Sequence, residues 1–250
     1  MTNKIYYANQ YLAQTEAIVT AIMENNGIIL NQTIAFPESG GQESDCGTLM
    51  YCVNGQQRSV EFKNVRQVNG RLIYLENFPV IPVETDILHF LEMENTDLCV
   101  GMKVQVGIDV QRRERLTVSH TATHIGLMAI ENLYPKLYDA IRGCHIKEDS
   151  SRLDFAIESK ITDDELIPIQ EYANELVSKD YPITMYAHSE EPEARYWQCL
   201  DKVYPCGGTH LLSTKNIGRM EIRKKNLGKG TQRIIFSFPE AVIDVGKYHT

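Results

Sequence analysis

The hydrophobic pattern of this chain changes period near residue 110, and a chain that makes this switch can be neither all-β nor all-α. Before the switch, apolar residues come in short or alternating runs broken by turn residues. Examples are Gly27-Ile28-Ile29-Leu30-Asn31, Gly47-Thr48-Leu49-Met50-Tyr51-Cys52-Val53 and Val68-Asn69-Gly70-Arg71-Leu72-Ile73. Asn54-Gly55 and Asn69-Gly70 are hairpin signals, because both residue types tolerate the positive φ of a tight turn. Strands in such close succession predict a small barrel or sandwich, with residues 100–109 as its last strand. From Arg112 onward, Leu116, Ala122, Leu127, Ile130 and Leu133 mark a buried helical stripe that Tyr134-Pro135 ends.

A second helix is predicted after Thr162-Asp163-Asp164-Glu165, a capping-box pattern, with Leu166, Ile169, Tyr172, Ala173 and Val177 on its apolar side. Strands are expected at 152–157, 183–187, 219–224 and 233–238, so the fold class is α+β. The expected division is an N-terminal unit at 1–110 and a second at 111–250. A chain of 250 residues is long enough to bury one large core or two modest ones. No run approaches the ~20 apolar residues needed to cross a bilayer, and Met1-Thr2-Asn3-Lys4-Ile5-Tyr6-Tyr7 lacks the apolar centre of a secretory signal. A cytoplasmic location is the resulting expectation. The six cysteines form no dense framework, so they are read as reduced and, Cys206 excepted, as small packing residues.

His120 and His124 stand four apart in the predicted helix, so both imidazoles leave one face about one turn apart and can reach one ion. Cys206-Gly207-Gly208-Thr209-His210 places a thiolate donor and an imidazole at the ends of a glycine-containing turn. Together these residues form a three-nitrogen, one-sulfur set suited to one tetrahedral zinc ion per chain. Four protein ligands are the usual mark of a structural site, whereas catalytic zinc keeps a position open. Spacing alone does not decide between the two.

A net charge of −8 argues against indiscriminate coating of nucleic acid. The charge is uneven, however, since residues 215–233 hold seven basic residues and one acid, for a local net of +6. Such a segment is either a lysine-blunted strand edge or a phosphate-binding surface.

The chain resembles the editing domain shared by alanyl-tRNA synthetases and the free-standing alanyl-tRNA editing proteins called AlaX. The motifs that carry the likeness run nearly the whole length. They are Phe36-Pro37-Glu38-Ser39-Gly40-Gly41-Gln42, Gly47-Thr48-Leu49, Asp109 through Arg115, His120-Thr121-Ala122-Thr123-His124, Arg152-Leu153-Asp154-Phe155, Cys206-Gly207-Gly208-Thr209-His210 and Gly228-Lys229-Gly230-Thr231-Gln232-Arg233-Ile234. The resemblance implies an N-terminal small β-barrel followed by a two-layer α/β sandwich editing domain of the kind threonyl-tRNA synthetase also carries. It implies zinc-dependent hydrolysis, in trans, of the ester joining serine or glycine to tRNA(Ala). The metal ligands are then His120, His124, Cys206 and His210.

Substrate contacts are expected from Gly40, Gly41, Gln42, Ile141, Gly207, Gly208 and Thr209, and tRNA contacts from Lys224, Lys225, Lys229 and Arg233. Thr121 and Thr123 flank the histidines, where a hydroxyl either meets substrate or bonds back to the preceding turn. Arg152 and Asp154 either support the pocket or simply alternate with buried Leu153 and Phe155. A site that hydrogen-bonds the serine hydroxyl rejects alanine by about 10⁴, against about 10² for steric exclusion of a hydroxyl. In the family a Gln or Thr commonly lies shortly before the glycine aligned with Gly143. Ile141 stands there in this chain, which leaves the preferred amino acid open. Two other readings fit the same residues: a noncatalytic tRNA-binding module with a structural zinc, and a zinc hydrolase of another ester. Neither a membrane nor an obligate protein partner is evident in the sequence.

Overall fold

The computed structural model describes residues 1–93, 96–135, 137–157 and 160–250. The fold is α+β, a closed barrel followed by a unit of two long helices and further sheets. Contacts divide it into one unit of Met1–Ser39, Glu43–Arg113 and Asp244–Thr250, and another of Gly40–Gln42 and Glu114–Ile243. The boundary falls after Arg113, a little beyond the expected residue 110, and two further segments change sides. The C-terminal residues return to the first unit because His249 exchanges backbone hydrogen bonds with Tyr11 and Ala13. Gly40–Gln42 joins the second unit because Gly41 O accepts from Ile146 N at 2.7 Å and Gln42 bridges Ile146 in parallel.

The barrel closes in the order Lys103–Ile108, Gln14–Met23, Gly27–Leu30, Asp86–Leu91, Gln56–Val68 and Gly47–Val53, with every pair antiparallel. Alternation does the sorting: Leu49, Tyr51, Val60, Phe62, Val104 and Val106 turn inward to the core while their neighbours face out. Asn54 and Gly55 both have positive φ and join Val53 to Gln56 in a two-residue turn. Asn69-Gly70 also has positive φ but closes no hairpin between its flanking strands. Val68 pairs with Asp86 instead, and the turn leads into a separate ribbon of Arg71–Ile73 against Ile81–Val83. Asn69 Nδ2 donates to Asp86 across this junction at 2.9 Å, and a Cβ on Gly70 would lie 2.5 Å from Val83 O. The dipeptide therefore fixes the local backbone, and pairing further along the chain decides what it connects.

In the second unit, α1 (Val110–Leu133) and α2 (Asp163–Ser178) share a core with a four-stranded antiparallel sheet, ordered Ile141–Ile146, Ser150–Ala156, Thr231–Ser237 and Glu221–Gly228. The expected capping box is formed, with Thr162 accepting from Glu165 N while the Glu165 carboxylate accepts from Thr162 N. A three-stranded sheet of Ile183–Ala187, Arg195–Cys199 and Lys202–Pro205 adds Ile183, Trp197, Cys199 and Tyr204 to the same core. Among the described residues, no helix is long and apolar enough to cross a membrane.

Gly126 sets how closely α1 meets the sheet, because a Cβ there would lie 2.3 Å from Phe236 Cε1. Replacing Gly126 by Ala gains at most ~1 kcal/mol of helix propensity. It forces an overpacked contact costing about 1–3 kcal/mol. Gly126→Ala is therefore expected to lower the urea midpoint, and an unchanged or raised midpoint would show that the helix can shift at no cost.

Candidate metal centre

The α1 helix presents His120 and His124 on one face, and the loop after Lys202–Pro205 presents Cys206 and His210. One donor atom from each of the four lies within 4.8 Å of the other three. Cys206 Sγ is 3.4 Å from His120 Nε2 and 3.2 Å from His210 Nε2. Ideal tetrahedral bonds of about 2.3 Å to sulfur and 2.05 Å to nitrogen set such edges at about 3.5 Å, so the spacing fits a single ion. Both ring nitrogens of His124 are buried and lack a hydrogen-bond partner among the described residues. The group can therefore hold a metal ion, as the sequence spacing predicts.

Hydrogen bonds support His120 and the loop that carries Cys206 and His210. His120 Nδ1 donates to Gln42 Oε1 at 2.7 Å, which leaves Nε2 free to face the other ligands. Gln42 is fully buried; its Oε1 also accepts from Thr209 N at 3.1 Å and its Nε2 donates to Thr209 Oγ1 at 3.0 Å. Thr117 Oγ1 donates to the same Thr209 hydroxyl at 2.9 Å. Gln42 and Thr209, expected at the substrate, thus have their polar side-chain atoms engaged in holding His120 and the ligand loop. Gly208 permits this closeness, since a Cβ there would fall 2.2 Å from His120 Cε1 and 2.8 Å from Gln42 Oε1. Gly41 at φ 88° leaves a Cβ no room beside Cys144, while Gly40 at φ 60° faces open space. Gly207 is half-buried between Cys206 and Gly208.

Of the remaining expected residues, Thr121 reaches a donor ring, its Oγ1 lying 3.5 Å from His210 Nδ1. Thr121 Oγ1 donates to Thr117 O and accepts from Leu211 N, while Thr123 Oγ1 donates to Ser119 O and lies 2.7 Å from Ser151 Oγ. Ile141 opens the strand Ile141–Ile146 and packs against the core opposite Phe155. Asp154 accepts both an Arg152 nitrogen and a two-pronged contact from Arg233 at 2.7 and 2.9 Å.

Register explains the basic segment. Gly143, Asp154, Arg233 and Lys225 form one cross-strand row, and His145, Arg152, Ile235 and Arg223 the next, on the sheet face opposite Leu153, Phe155, Ile234 and Phe236. Lys225 and Arg223 are exposed on that face, and Lys229 in the turn beyond. Lys224 falls on the other face, where its Nζ donates to Ile161 O at 3.1 Å and meets Asp163 at 3.3 Å. It is an anchor for the start of α2, in contrast to the surface contact expected of it.

Trp197 and Tyr204 are site neighbours that the sequence pattern does not single out. They are directly opposed across a two-residue hairpin, Leu200-Asp201, that carries no Asn or Gly and holds Leu200 at φ 54°. The usual residue signal for that turn is therefore missing.

Residues 186–235 match the family described as the threonyl and alanyl tRNA synthetase second additional domain. The matched segment holds Cys206 and His210 of the four-residue group. The alanyl-tRNA editing protein AlaX-M of Methanosarcina barkeri is 30% identical over 262 residues, covering 95% of this chain and 99% of that protein. AlaX-M of Saccharolobus solfataricus is likewise 30% identical, over 259 residues, 95% of this chain and 99% of its own length. An alanine–tRNA ligase of Methanopyrus kandleri is 30% identical over 97% of this chain, which spans only 27% of the ligase. The chain belongs to the AlaX-type alanyl-tRNA editing proteins.

Burial dominates the electrostatics of the centre. It pushes His124 down to about 3 and holds His120 and His210 well below their ordinary 6.5, with neighbouring imidazoles adding to the effect on the latter two. It pushes the Cys206 thiol up to about 12. In the barrel, burial likewise lowers His89 to about 4. The unfolded chain takes up protons at these four imidazoles near 6.5, where the folded metal-free protein does not. Its stability is therefore full above that value and falls as pH drops from about 6.5 toward the folded values. A thermal midpoint of metal-stripped protein that declines from about pH 7.5 to about pH 5 is expected; a flat profile would contradict neutral burial.

Proposed function

We propose that this chain removes wrongly attached serine or glycine from tRNA(Ala), in trans, at a zinc ion held by His120, His124, Cys206 and His210. The observation that carries the reading is the four-donor cluster in a chain matched along nearly its whole length to proteins named as alanyl-tRNA editing proteins. A zinc ion held there supplies Lewis acidity, able to acidify water or polarise an ester carbonyl.

The protein's own share is preorganisation. Gln42 fixes which nitrogen of His120 faces the site, Gly208 lets the Cys206–His210 loop close against that ring, and burial keeps the imidazoles unprotonated. An aminoacyl ester is activated relative to an amide, so positioning and charge stabilisation suffice without a separate covalent nucleophile. Lys225, Arg223 and Lys229 supply exposed cations for tRNA phosphates, while Arg152 and Arg233 share the one carboxylate of Asp154, which compensates only one of their two charges. The cytoplasm, where charged tRNA is used, is the fitting location.

A second reading has one observation in its favour. Four protein donors close a tetrahedral ion, which is the pattern of a structural site. Deacylation of mischarged tRNA separates the two. Ser-tRNA(Ala) is expected to lose serine while Ala-tRNA(Ala) persists, with activity lost on zinc removal and restored by zinc. Absence of release from any aminoacyl-tRNA would leave the structural reading, and release from small esters alone would point to a different ester substrate.

The surface assignment has its own test in binding of tRNA against salt. Lys225→Ala and Arg223→Ala are each expected to weaken binding and to flatten the log–log salt slope by up to about 1. Lys224→Ala should leave that slope alone and lower the thermal midpoint through its lost anchor at Ile161.

A further inference from the structure

His120 is oriented by a hydrogen bond, but His124 has none. Its Nδ1 and Nε2 are both buried without a partner among the described residues, and so is the Trp197 indole nitrogen. Ligating histidines almost always anchor their second nitrogen, so another force must set this ring's direction. The rings around it supply one. His124 stacks on Trp197 at 4.6 Å between centroids with planes 15° apart, and on Tyr204 at 5.4 Å and 18°. Trp197 and Tyr204 are an opposed cross-strand pair and stack on each other at 5.7 Å, and Tyr138 covers Tyr204 at 5.4 Å. The tyrosine is fixed at its far end, because its hydroxyl donates 2.7 Å to the buried carboxylate of Glu131, which lies seven residues beyond His124 on α1. Helix and sheet thus hold the same ring stack from two sides.

We propose that the Trp197–Tyr204 aromatic pair, tied to α1 through Glu131, is the positioning device for His124 and contributes directly to metal affinity. The physical reason is differential. A neutral imidazole gains little from facing an indole or phenol, whereas one that shares the charge of a bound dication is attracted to the electron-rich faces. The stack therefore favours the loaded site over the empty one, and also removes the ring rotation that loading would otherwise have to freeze. The inference rests on the metal-site reading above and concerns affinity rather than the chemical step.

The test compares substitutions that differ only in the ring. Tyr204→Phe and Tyr204→Leu both lose the bond to Glu131, but only Leu loses the aromatic face; Trp197→Phe and Trp197→Leu form the same contrast. Zinc affinity is measured by chelator competition on each protein, alongside the Co²⁺ absorption spectrum and the thermal midpoint of the metal-free form. The Leu variants are expected to bind zinc about 10–100-fold more weakly than their Phe counterparts and to show an altered Co²⁺ band. Equal affinities for Phe and Leu at both positions, in proteins whose metal-free midpoints show them folded, would overturn the proposal. If one Leu variant does not fold, the Phe and Leu pair at the other position decides the matter. Failure of the unsubstituted protein to take up one zinc would instead overturn the metal-site reading, so the two failures are distinct. Loss of metal affinity without a shift in the metal-free midpoint is the signature that a merely structural stack would not produce.

Discussion

The second unit depends on one constraint, the burial of three imidazoles and a thiol around a common point with no anion among them. Desolvation holds all of them in their neutral forms, and a proton on one imidazole would further oppose a proton on the next. A cation with several coordination positions is the one charge such a cluster welcomes.

Holding donors in that arrangement requires rigid supports, and the fold uses three kinds. An amide oxygen from Gln42 fixes His120, the missing side chain of Gly208 lets the ligand loop approach, and flat aromatic faces border His124. Gln42 sits in a stretch of three residues, Gly40–Gln42, whose contacts place it with the second unit although the chain on either side belongs to the barrel. The glycines ahead of it supply the positive φ angles of that excursion.

The barrel solves a similar problem with charges. Arg113 and Asp45 are 1% and 0% exposed and paired, and the guanidinium also donates to Gln10 O and Ile34 O while Asp45 accepts from Phe36 N. A buried pair of this sort gains little net stability over apolar packing, but removing either partner strands the other. Arg113 and every partner named here lie in the barrel unit, so the pair ties segments of that one unit together.

Much of this was legible from sequence. The change of period near residue 110 marked where strands give way to α1, the capping box at Thr162 marked α2, and donor spacing marked the four metal-competent residues, because each of these is set by a few neighbouring residues. Other features were settled only in the folded chain. Asn69-Gly70 kept its turn geometry but joined a different pair of strands than a hairpin would. Lys224 and Lys225, adjacent in sequence, went to opposite faces of the sheet, and Gln42 became a support for His120. Trp197 and Tyr204 met across a turn that has no residue to announce it. Local patterns determine which residues can be donors, helices or turns. Pairing register and side-chain burial, which depend on residues far along the chain, decide what each one touches.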